Sequence, residues 1–359
     1  MGSHKLSEQE LDHLAVGAAI LGTGGGGNPY IGKLRVRELL RQGKSIEIIP
    51  LDALEDDDLV VSVGGIGAPV VGIEKIERGD ECFHALRALE KETGKHIAAL
   101  IPAEIGGANS MEPMITAAQA GIPVVDADGM GRAFPEIQMM TFFIYGHAPE
   151  PAAIADEKGN VVVFRKVIDM YWLERFARTI AVDMGAAAGL ADPPMRGDFL
   201  KKYAIPNTVT QAIELGKCVH KAHQENRNAL EALQIEAGGQ LKFKGKIVDV
   251  RRELKGGFAV GRVKLESLEH PNDQGEIDIQ NENLILRING EVIVSVPDLI
   301  IVLDLESGEP ITTEVLRYGM RVAVMAFPCH PLLQTDVALD VVGPKAFGYK
   351  DVDYQPLAN

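Results

Sequence analysis

The sequence lacks the features that would assign it to several common classes of protein. Its three cysteines, Cys82, Cys218 and Cys329, are odd in number and far apart, so neither a disulfide framework nor a structural zinc site is expected. It also has no excess of basic over acidic residues, since the formal net charge is −15. This argues against nucleic acid as a partner, because a phosphate backbone binds a basic face. No apolar run approaches the roughly 18 residues of a membrane span, and no signal segment is evident. We therefore expect a cytoplasmic protein that binds neither nucleic acid nor membrane.

The hydrophobic pattern predicts an α/β fold in two parts. With 359 residues the chain is long enough for two cores. Residues 5–170 alternate strands, glycine-rich turns and helices, which indicates a layered α/β domain with a mostly parallel sheet. Residues 171–359 are predicted to contain helices over 171–235, a β-rich core over 238–334 and a C-terminal tail. The short strands and tight turns of that core favour a barrel-like or sandwich domain.

The most unusual segment is Gly22–Gly27, in which five of the six residues are glycine. Its letters match the dinucleotide-binding fingerprint, but that motif requires a strand before it. Here Ser7 and Glu10 form a capping box, and the following apolar spacing is helical, so the loop is predicted to join two helices. One interpretation is a ligand-binding loop whose N–H groups face an anion or a polarised carbonyl, and the other is a tight turn packed against another backbone. The candidate binding residues here are Gly24, Gly25, Gly26, Gly27 and Asn28.

Three predicted strands end in polar or glycine-rich segments, after Val63, Ile101 and Val125. Because parallel strands present their carboxyl ends at one sheet edge, these segments and the glycine loop should meet in one cleft. They are Gly64–Gly67, Glu104–Asn109 and Asp126–Arg132. The candidate catalytic residues among them are Glu104, Asp126 and Asp128, and the candidate binding residues are Gly65, Asn109 and Arg132. The alternatives are that the aspartates cap a helix, with Arg132 neutralising them, and that Asn109 is an N-cap.

A further candidate lies at Phe327–Pro331, where Cys329 and His330 are adjacent between prolines. A thiolate beside an imidazolium is a known nucleophile, although neighbouring side chains diverge, and a buried cysteine beside a surface histidine is equally compatible. Metal binding by Glu104, Asp126 or Asp128 with a histidine has no supporting ligand spacing. We therefore predict no metal ligands and no required cofactor. A bound divalent metal ion is kept as the alternative.

Three other segments are interpreted from their local pattern. Met139–Tyr145 is apolar and is predicted to be a strand. The segment from Asp169 to about Leu190 is predicted to be helical, with Trp172 in the core. The charged stretch Glu269–Asn283 is predicted to be a surface loop.

Four segments resemble a bacterial family named after S-methyl thiohydantoin desulfurase. They are Gly22–Tyr30, Pro102–Ser110, Asp126–Glu136 and Val342–Tyr349, which together span nearly the whole chain. The resemblance implies an α/β domain followed by a β-rich domain. It also implies hydrolytic removal of sulfur from C2 of a five-membered thiohydantoin or S-methyl thiohydantoin ring, and association with hydantoinase/oxoprolinase proteins.

The residues and the resemblance lead to one hypothesis and one alternative. The hypothesis is a hydrolase of a small cyclic amide or thioamide, in which Asp126 or Asp128 activates water or Cys329 attacks C2. The residues considered as proton donors are Glu104, Glu136 and His330, with Glu136 also a binding candidate. The glycine loop and Gly64–Gly67 would form an oxyanion hole. The alternative is a non-catalytic binding or accessory subunit of a hydantoinase/oxoprolinase system, and both hypotheses are compatible with a homo-oligomer.

Overall fold

The computed structural model describes residues 2–67, 75, 77–255 and 258–357. The helices in this part of the chain are α1 (Glu8–Leu21), α2 (Tyr30–Arg41), α3 (Glu81–Thr93), α4 (Glu112–Ala120), α5 (Thr141–Ile144), α6 (Met170–Asp183), α7 (Gly197–Tyr203), α8 (Thr208–Gln224), α9 (Ala229–Ala237) and α10 (Asp336–Val342). The strands are β1 (His4–Lys5), β2 (Glu47–Pro50), β3 (Leu59–Gly67), β4 (Ala99–Pro102), β5 (Val124–Asp128), β6 (Ala152–Ala155), β7 (Val161–Phe164), β8 (Ala187–Ala191), β9 (Met195–Arg196), β10 (Ile205–Pro206), β11 (Gln240–Lys255), β12 (Phe258–Ser267), β13 (Gln274–Gln280), β14 (Glu282–Ile288), β15 (Glu291–Ser295), β16 (Leu299–Asp304) and β17 (Arg321–Phe327).

The first sheet has a parallel centre with antiparallel flanks. Its order is β1-β2-β5-β4-β3-β8-β6-β7, with β10 beside β5 and β9 beside β3. β2, β5, β4 and β3 run parallel, whereas β1 and β8 pair antiparallel with their neighbours. The central strands β4 and β5 are buried along their whole length, although β5 includes Asp126 and Asp128. The predicted mostly parallel N-terminal sheet is confirmed.

Helix α1 begins and ends as its sequence predicts. Ser7 is the N-cap, and its side chain and that of Glu10 form the reciprocal capping box. The helix packs closely on α8 because glycine occupies the crossing points on both sides. A Cβ at Gly17 would lie 1.7 Å from the Ala212 carbonyl oxygen, and a Cβ at Gly216 would lie 1.9 Å from that of His13. Because a helix and not a strand precedes Gly22, the dinucleotide-binding interpretation fails.

The second sheet is antiparallel and curled into a half-barrel, which confirms the prediction of a β-rich, barrel-like C-terminal part. Its order is β15-β14-β13-β12-β11-β17-β16. Alternate residues of these strands, such as Ile247, Val263 and Ile277, fill a separate apolar core. The Asn289–Gly290 turn between β14 and β15 has positive φ at both residues, the conformation that an Asn-Gly hairpin favours.

Three local predictions were wrong. Met139–Tyr145 is not a strand: it lies in a short 3-10 turn followed by α5. Gly64–Gly67 is not a turn but the second half of β3, because β8 pairs with it antiparallel from Gly64 to Gly67. The stretch Glu269–Asn283 is not only a surface loop, since β13 occupies its centre and β14 starts at Glu282.

The segment from Asp169 to Leu190 combines a helix and a strand. Helix α6 ends at Asp183, and β8 then pairs with β3 and β6 in the first sheet. Trp172 does not lie in the core: it is 37% exposed and packs on the ring of Phe176, with the Arg175 guanidinium over it. Strands β8 to β10 therefore bring residues 187–206 back to the first sheet, and the second sheet starts at Gln240. The predicted boundary between residues 170 and 171 stays a prediction.

Among the described helices, none has both the length and the apolar character needed to cross a bilayer.

Candidate functional site

The glycine loop lies where the two sheets meet. On one side the Ala108 N–H donates to the carbonyl oxygens of Gly26 and Gly27, at 2.8 and 3.1 Å. On the other side the Asn283 N–H donates to the Thr23 oxygen and the Thr313 N–H to the Gly24 oxygen, both at 2.8 Å. The loop is thus hydrogen-bonded to the segment after β4 and to the second sheet. The Ala133 side chain, after β5, lies against Gly26, so the predicted convergence of these segments with the loop is present.

Close backbone packing explains several of the glycines. Gly24 and Gly26 have φ of +87° and +70°, a region that residues with a side chain rarely adopt. A Cβ at Gly26 would lie 2.4 Å from the Gly106 carbonyl oxygen, and one at Gly107 would lie 2.4 Å from the Gly26 carbonyl carbon. The interpretation of a tight turn packed against another backbone is therefore correct for this part of the loop.

Replacing Gly26 by alanine is expected to lower the free energy of unfolding by roughly 3 kcal/mol, because backbone strain adds to a clash with fixed backbone atoms. The matched control is Gly94→Ala. Gly94 has a similar φ of +65°, but a Cβ there meets no atom within 4 Å. The control should lose only about 1 kcal/mol, the cost of the φ alone. Urea unfolding of both variants measures the difference, and equal losses would show that contact with Gly106 is unimportant.

Gly25 serves a different purpose, because it makes room for a carboxyl group. A Cβ at Gly25 would lie 2.1 Å from Oε1 of Glu282, which comes from the tight turn between β13 and β14. Glu282 is 2% exposed, and its Oε2 atom is buried without a hydrogen-bond partner among the described residues. Sequence reasoning missed this residue. The alternation of Ile277 and Ile279 with charged residues could have revealed β13, but not that its end reaches Gly25.

Glu104 is the second buried carboxyl group at this junction. It is 4% exposed; Oε1 accepts a hydrogen bond from Asn109 Nδ2 at 2.7 Å and Oε2 accepts one from the Phe134 N–H at 3.0 Å. Burial raises the pKa of Glu104 to about 8, with the charge of Asp128 adding to the rise and the two hydrogen bonds and Arg132 opposing it. At neutral pH this carboxyl group is therefore mostly protonated and can donate a proton.

Asn109 connects Glu104 to the surface. Its Oδ1 accepts a hydrogen bond from the Gly65 N–H at 2.7 Å, and Gly65 is exposed. Asn109 does not cap α4, which has Met111 in the N-cap position without a side-chain cap. The half-buried residues nearby are small, namely Gly26, Gly27, Ala103 and Ala108. These small residues, with exposed Gly65, form a surface patch around Asn109, and an added Cβ at Gly65 or Gly27 would meet only one atom within 4 Å.

The carboxylates of Asp126 and Asp128 are engaged by hydrogen bonds within the protein. The Asp128 carboxylate accepts hydrogen bonds from the N–H groups of Ile105, Met130 and Gly131. Burial raises the pKa of Asp128 to about 7, and these backbone hydrogen bonds oppose that rise. Asp126 accepts from the N–H and the hydroxyl of Thr210, at 3.0 and 2.5 Å, at the start of α8. Both carboxylates thus hold segments of backbone in place.

Arg132 lies fully buried between the two sheets, and its N–H donors are occupied by protein. Nε donates to the Ala133 oxygen, Nη1 to the oxygens of Pro297 and Asp298, and Nη2 to Thr23 Oγ1 and the Asn283 oxygen. These five hydrogen bonds use the five N–H donors of a guanidinium group. Burial lowers the pKa of this group to about 10, whereas Glu282, Cys329, Asp298 and Glu104 oppose the shift. Arg132 therefore remains charged beside the two buried carboxyl groups.

Cys329 and His330 point in different directions. The Cys329 sulfur lies 3.5 Å from the hydroxyl of Tyr354 and 3.7 Å from Gln334 Nε2. Burial, with the charge of Asp298, raises the pKa of the Cys329 thiol to about 12. The His330 Nδ1 accepts a hydrogen bond from the Leu332 N–H, and burial lowers the pKa of this imidazole. The two side chains form no dyad.

Glu136 and Asn28 make local contacts. The Gln138 side chain donates to the Glu136 carboxylate, and burial raises the pKa of Glu136. Asn28 Oδ1 accepts from the Tyr30 N–H at 2.9 Å, at the start of α2. As for metals, no group of three or more histidine, cysteine or acidic side chains within the described ranges is arranged to hold an ion.

Comparison with known proteins finds two related family models that together match nearly the whole chain. The family model described as "S-Me-THD-like, N-terminal domain" matches residues 9–166, and the one described as "S-Me-THD-like, C-terminal domain" matches residues 168–357. A crystal structure of a protein from Chromobacterium violaceum, a structural-genomics target, aligns with a TM-score of 0.81 over 99% of this chain and 100% of that one. The two sequences are 24% identical, so this likeness establishes a shared fold. No curated protein matches the chain.

Proposed function

The chain belongs to the S-Me-THD-like family, named for S-methyl thiohydantoin desulfurase, and from that premise we propose that it is a hydrolase of five-membered cyclic thioamides. The proposed reaction replaces the sulfur substituent at C2 of a thiohydantoin or S-methyl thiohydantoin by oxygen and releases sulfide or methanethiol. One observation carries the proposal: the buried carboxyl group of Glu104, whose pKa is raised to about 8, is linked by Asn109 to exposed Gly65 on a surface patch of small residues. The small side chains of this patch would leave room for a flat ring near Glu104.

In the proposed reaction of the S-methyl ring, the oxygen of water bonds to C2 and the bond from C2 to sulfur breaks. Glu104 gives its proton to the departing sulfur, which leaves as methanethiol. One water proton reaches the ring nitrogen, and the other restores the acid. Charge on the oxygen at C2 would be stabilised by backbone N–H groups of the loop. The N–H of half-buried Gly27 is available for this role, as it has no hydrogen-bond partner among the described residues.

We assign the other polar candidates to supporting roles. Asp126 and Asp128 hold backbone, since their oxygens already accept N–H or hydroxyl hydrogen bonds. Arg132 holds the two sheets together and supplies positive charge. A Cys329 thiol with a pKa raised to about 12 is a poor nucleophile at neutral pH, so water is the favoured attacking group.

The proposal is tested by incubating the protein with hydantoins, thiohydantoins and S-methyl thiohydantoins while sulfide, methanethiol and ring products are measured. Metal content is assayed on the same sample. We expect sulfur release from one of the two sulfur-containing classes and a hydantoin product. Binding of these rings without turnover would overturn the hydrolase assignment.

A leucine at Gly65 is expected to lower kcat/KM by at least roughly 10-fold with little change in stability. Gly65 has ordinary extended φ, and the only atom near an added Cβ is the Asn109 Oδ1, at 3.4 Å. A longer side chain there would cover Asn109 on the patch of small residues without disturbing the fold. Gly65→Ala is the graded control and should lose much less activity. Equal activity of the alanine and leucine variants would mean that substrate enters elsewhere.

A second candidate function, an accessory subunit of a hydantoinase/oxoprolinase-type system, is favoured by the surface of α6. Tyr171, Trp172, Phe176 and Val182 of α6 recur at helical spacing, Ile168 lies just before the helix, and all five are at least a third exposed. An apolar stripe of this kind is typical of a surface that contacts another chain. The proposed partner classes are a second copy of this chain and a hydantoinase/oxoprolinase-type protein. Ring binding without turnover, together with co-purification of such a protein, would support this function.

A further inference from the structure

The Glu282 carboxyl group is only partly satisfied: the N–H groups of Gly26 and of Glu282 itself interact with it and lower its pKa, but one oxygen has no hydrogen-bond partner among the described residues. A buried carboxyl group with a structural role usually accepts hydrogen bonds, as Asp128 does from three N–H groups. The Oε2 atom of Glu282 is buried without such a partner among the described residues, although the side chain is only 2% exposed. Leaving a polar atom in this state costs roughly 1–3 kcal/mol, which natural cores seldom tolerate without a reason.

The surroundings of Glu282 are fixed by the same loop that borders Glu104. Its turn is clamped to the glycine loop by the hydrogen bond from the Asn283 N–H to the Thr23 oxygen. The carboxyl group then lies against Gly25, where an added Cβ would lie within 2.6 Å of its Oε1, Cδ and Cγ atoms. The next residue, Gly26, touches the Gly106 oxygen, two residues beyond Glu104. The two carboxyl groups therefore lie on either side of the glycine loop.

Electrostatics couples the two groups. Burial raises the pKa of Glu282 to about 8, and the charge of Glu104 is the next largest cause. Both carboxylates act on Arg132, on which Glu282 has the largest charge effect. Two buried carboxyl groups beside one fixed cation favour a state in which one is ionised and the other protonated. Ionising the second group costs additional free energy, because two like charges repel strongly in a buried site.

We infer that Glu282, supplied by the second sheet, is the second acid/base group of the site and forms with Glu104 an electrostatically coupled pair that is singly ionised in the active state. This inference rests on the proposed hydrolytic function. In the S-methyl reaction the ionised Glu282 takes a proton from water as its oxygen bonds to C2, and Glu104 gives its proton to sulfur as the bond from C2 to sulfur breaks. The hydroxyl proton of the intermediate moves to the ring nitrogen as the carbonyl forms. Glu282 then releases its proton to solvent and Glu104 takes one up, which restores the starting state.

The test is Glu282→Gln, which keeps the shape of the side chain and removes its proton chemistry. With the S-methyl thiohydantoin turned over by the wild type, kcat should fall roughly 100-fold with KM within a few-fold, and the limb of the pH profile below the optimum should disappear. Glu291→Gln, an exposed change at the start of β15, is the control and should leave both limbs intact. Wild-type kcat and an unchanged profile in Glu282→Gln would overturn the inference.

A measurement without substrate separates this inference from the proposed function. Infrared spectra of protein labelled with carbon-13 in its glutamate carboxyl groups report protonated carboxyls directly. Three glutamates have a pKa raised to about 7 or 8, namely Glu104, Glu112 and Glu282, so the measurement is the difference between the wild type and Glu282→Gln. Between about pH 6 and pH 10 the variant should lose one step of protonated-carboxyl signal, and a second step should shift to lower pH. If this holds while no ring is turned over, the pair stands and the hydrolase fails. Loss of the Glu282 step with no shift of another would refute the pair whatever the activity.

Discussion

Glu104→Gln is expected to reduce kcat by roughly 1000-fold, the larger effect of the two glutamate variants, because it removes the proton donor to the leaving sulfur. Glutamine keeps the size of the side chain but has no acidic proton. It also presents an N–H₂ group to either Asn109 Nδ2 or the Phe134 N–H, both of which are donors. The free energy of unfolding of the variant should therefore be lower than that of the wild type at acidic pH. At that pH the Glu104 carboxyl group is neutral in both the folded and the unfolded wild-type chain.

The stability of this variant relative to wild type should then improve as the pH rises. The pKa of Glu104 lies at about 8 in the folded protein, against 4.5 for the free side chain. Between these values the unfolded chain is ionised and the folded chain holds its proton, so wild-type stability falls with pH. The slope is roughly 1.4 kcal/mol per pH unit for one such group. Glutamine does not titrate, and this loss is absent from the variant. Above about pH 8 the difference should level off.

Two measurements check these expectations: kcat at neutral pH, and urea unfolding of both proteins between about pH 5 and pH 9. Glu253→Gln, an exposed substitution in β11, is the matched control and should change neither quantity. Loss of activity with no pH-dependent change in relative stability would mean that Glu104 is ionised in the folded protein, and its role as acid would fail. Full activity would falsify the role of Glu104 altogether.

The sequence was sufficient to predict the elements whose signals are local. The capping box of Ser7 and the helical spacing after it predicted α1, and so ruled out a dinucleotide loop at Gly22. The parallel strands ending at Ile101 and Val125 predicted that the segment Glu104–Asn109 would meet the glycine loop, and the Ala108 N–H of this segment donates to Gly26 and Gly27. These inferences succeeded because parallel topology alone brings strand ends to one edge.

Other features depended on contacts between distant segments and could not be predicted locally. The short apolar run Met139–Tyr145 suits a strand or a buried helix equally, and periodicity does not separate the two. Gly64–Gly67 is strand because β8, more than 100 residues later, pairs with it. Glu282 was hidden in a charged stretch, and its importance depends on Gly25 at the opposite end of the chain. A row of glycines cannot reveal which of its members makes room for a distant side chain.

Arg132→Met is the prediction with the largest expected effect on stability, a loss of roughly 5 kcal/mol. The substitution leaves the carbonyl oxygens of Pro297, Asp298 and Asn283 without the donors that Arg132 supplies. It also removes the cation that offsets the buried carboxyl groups of Glu104 and Glu282. These costs act at the junction of the two sheets, so we expect the site to be lost together with the fold. Methionine fills part of the volume and recovers only apolar contact, such as that with the Phe134 ring.

Two further variants identify the cause of that loss. Arg175→Met removes an exposed arginine that stacks on Trp172 and should change the free energy of unfolding by less than about 1 kcal/mol. Arg132→Lys keeps the positive charge, but an ammonium group has three donors and cannot reach acceptors on both sheets as the planar guanidinium does. If the hydrogen-bond geometry dominates, lysine should be nearly as damaging as methionine in chemical unfolding. If charge dominates, Arg132→Lys should keep most of the stability that Arg132→Met loses. The main role of Arg132 would then be to offset the charge of the buried carboxyl groups, and not to link the two sheets by hydrogen bonds.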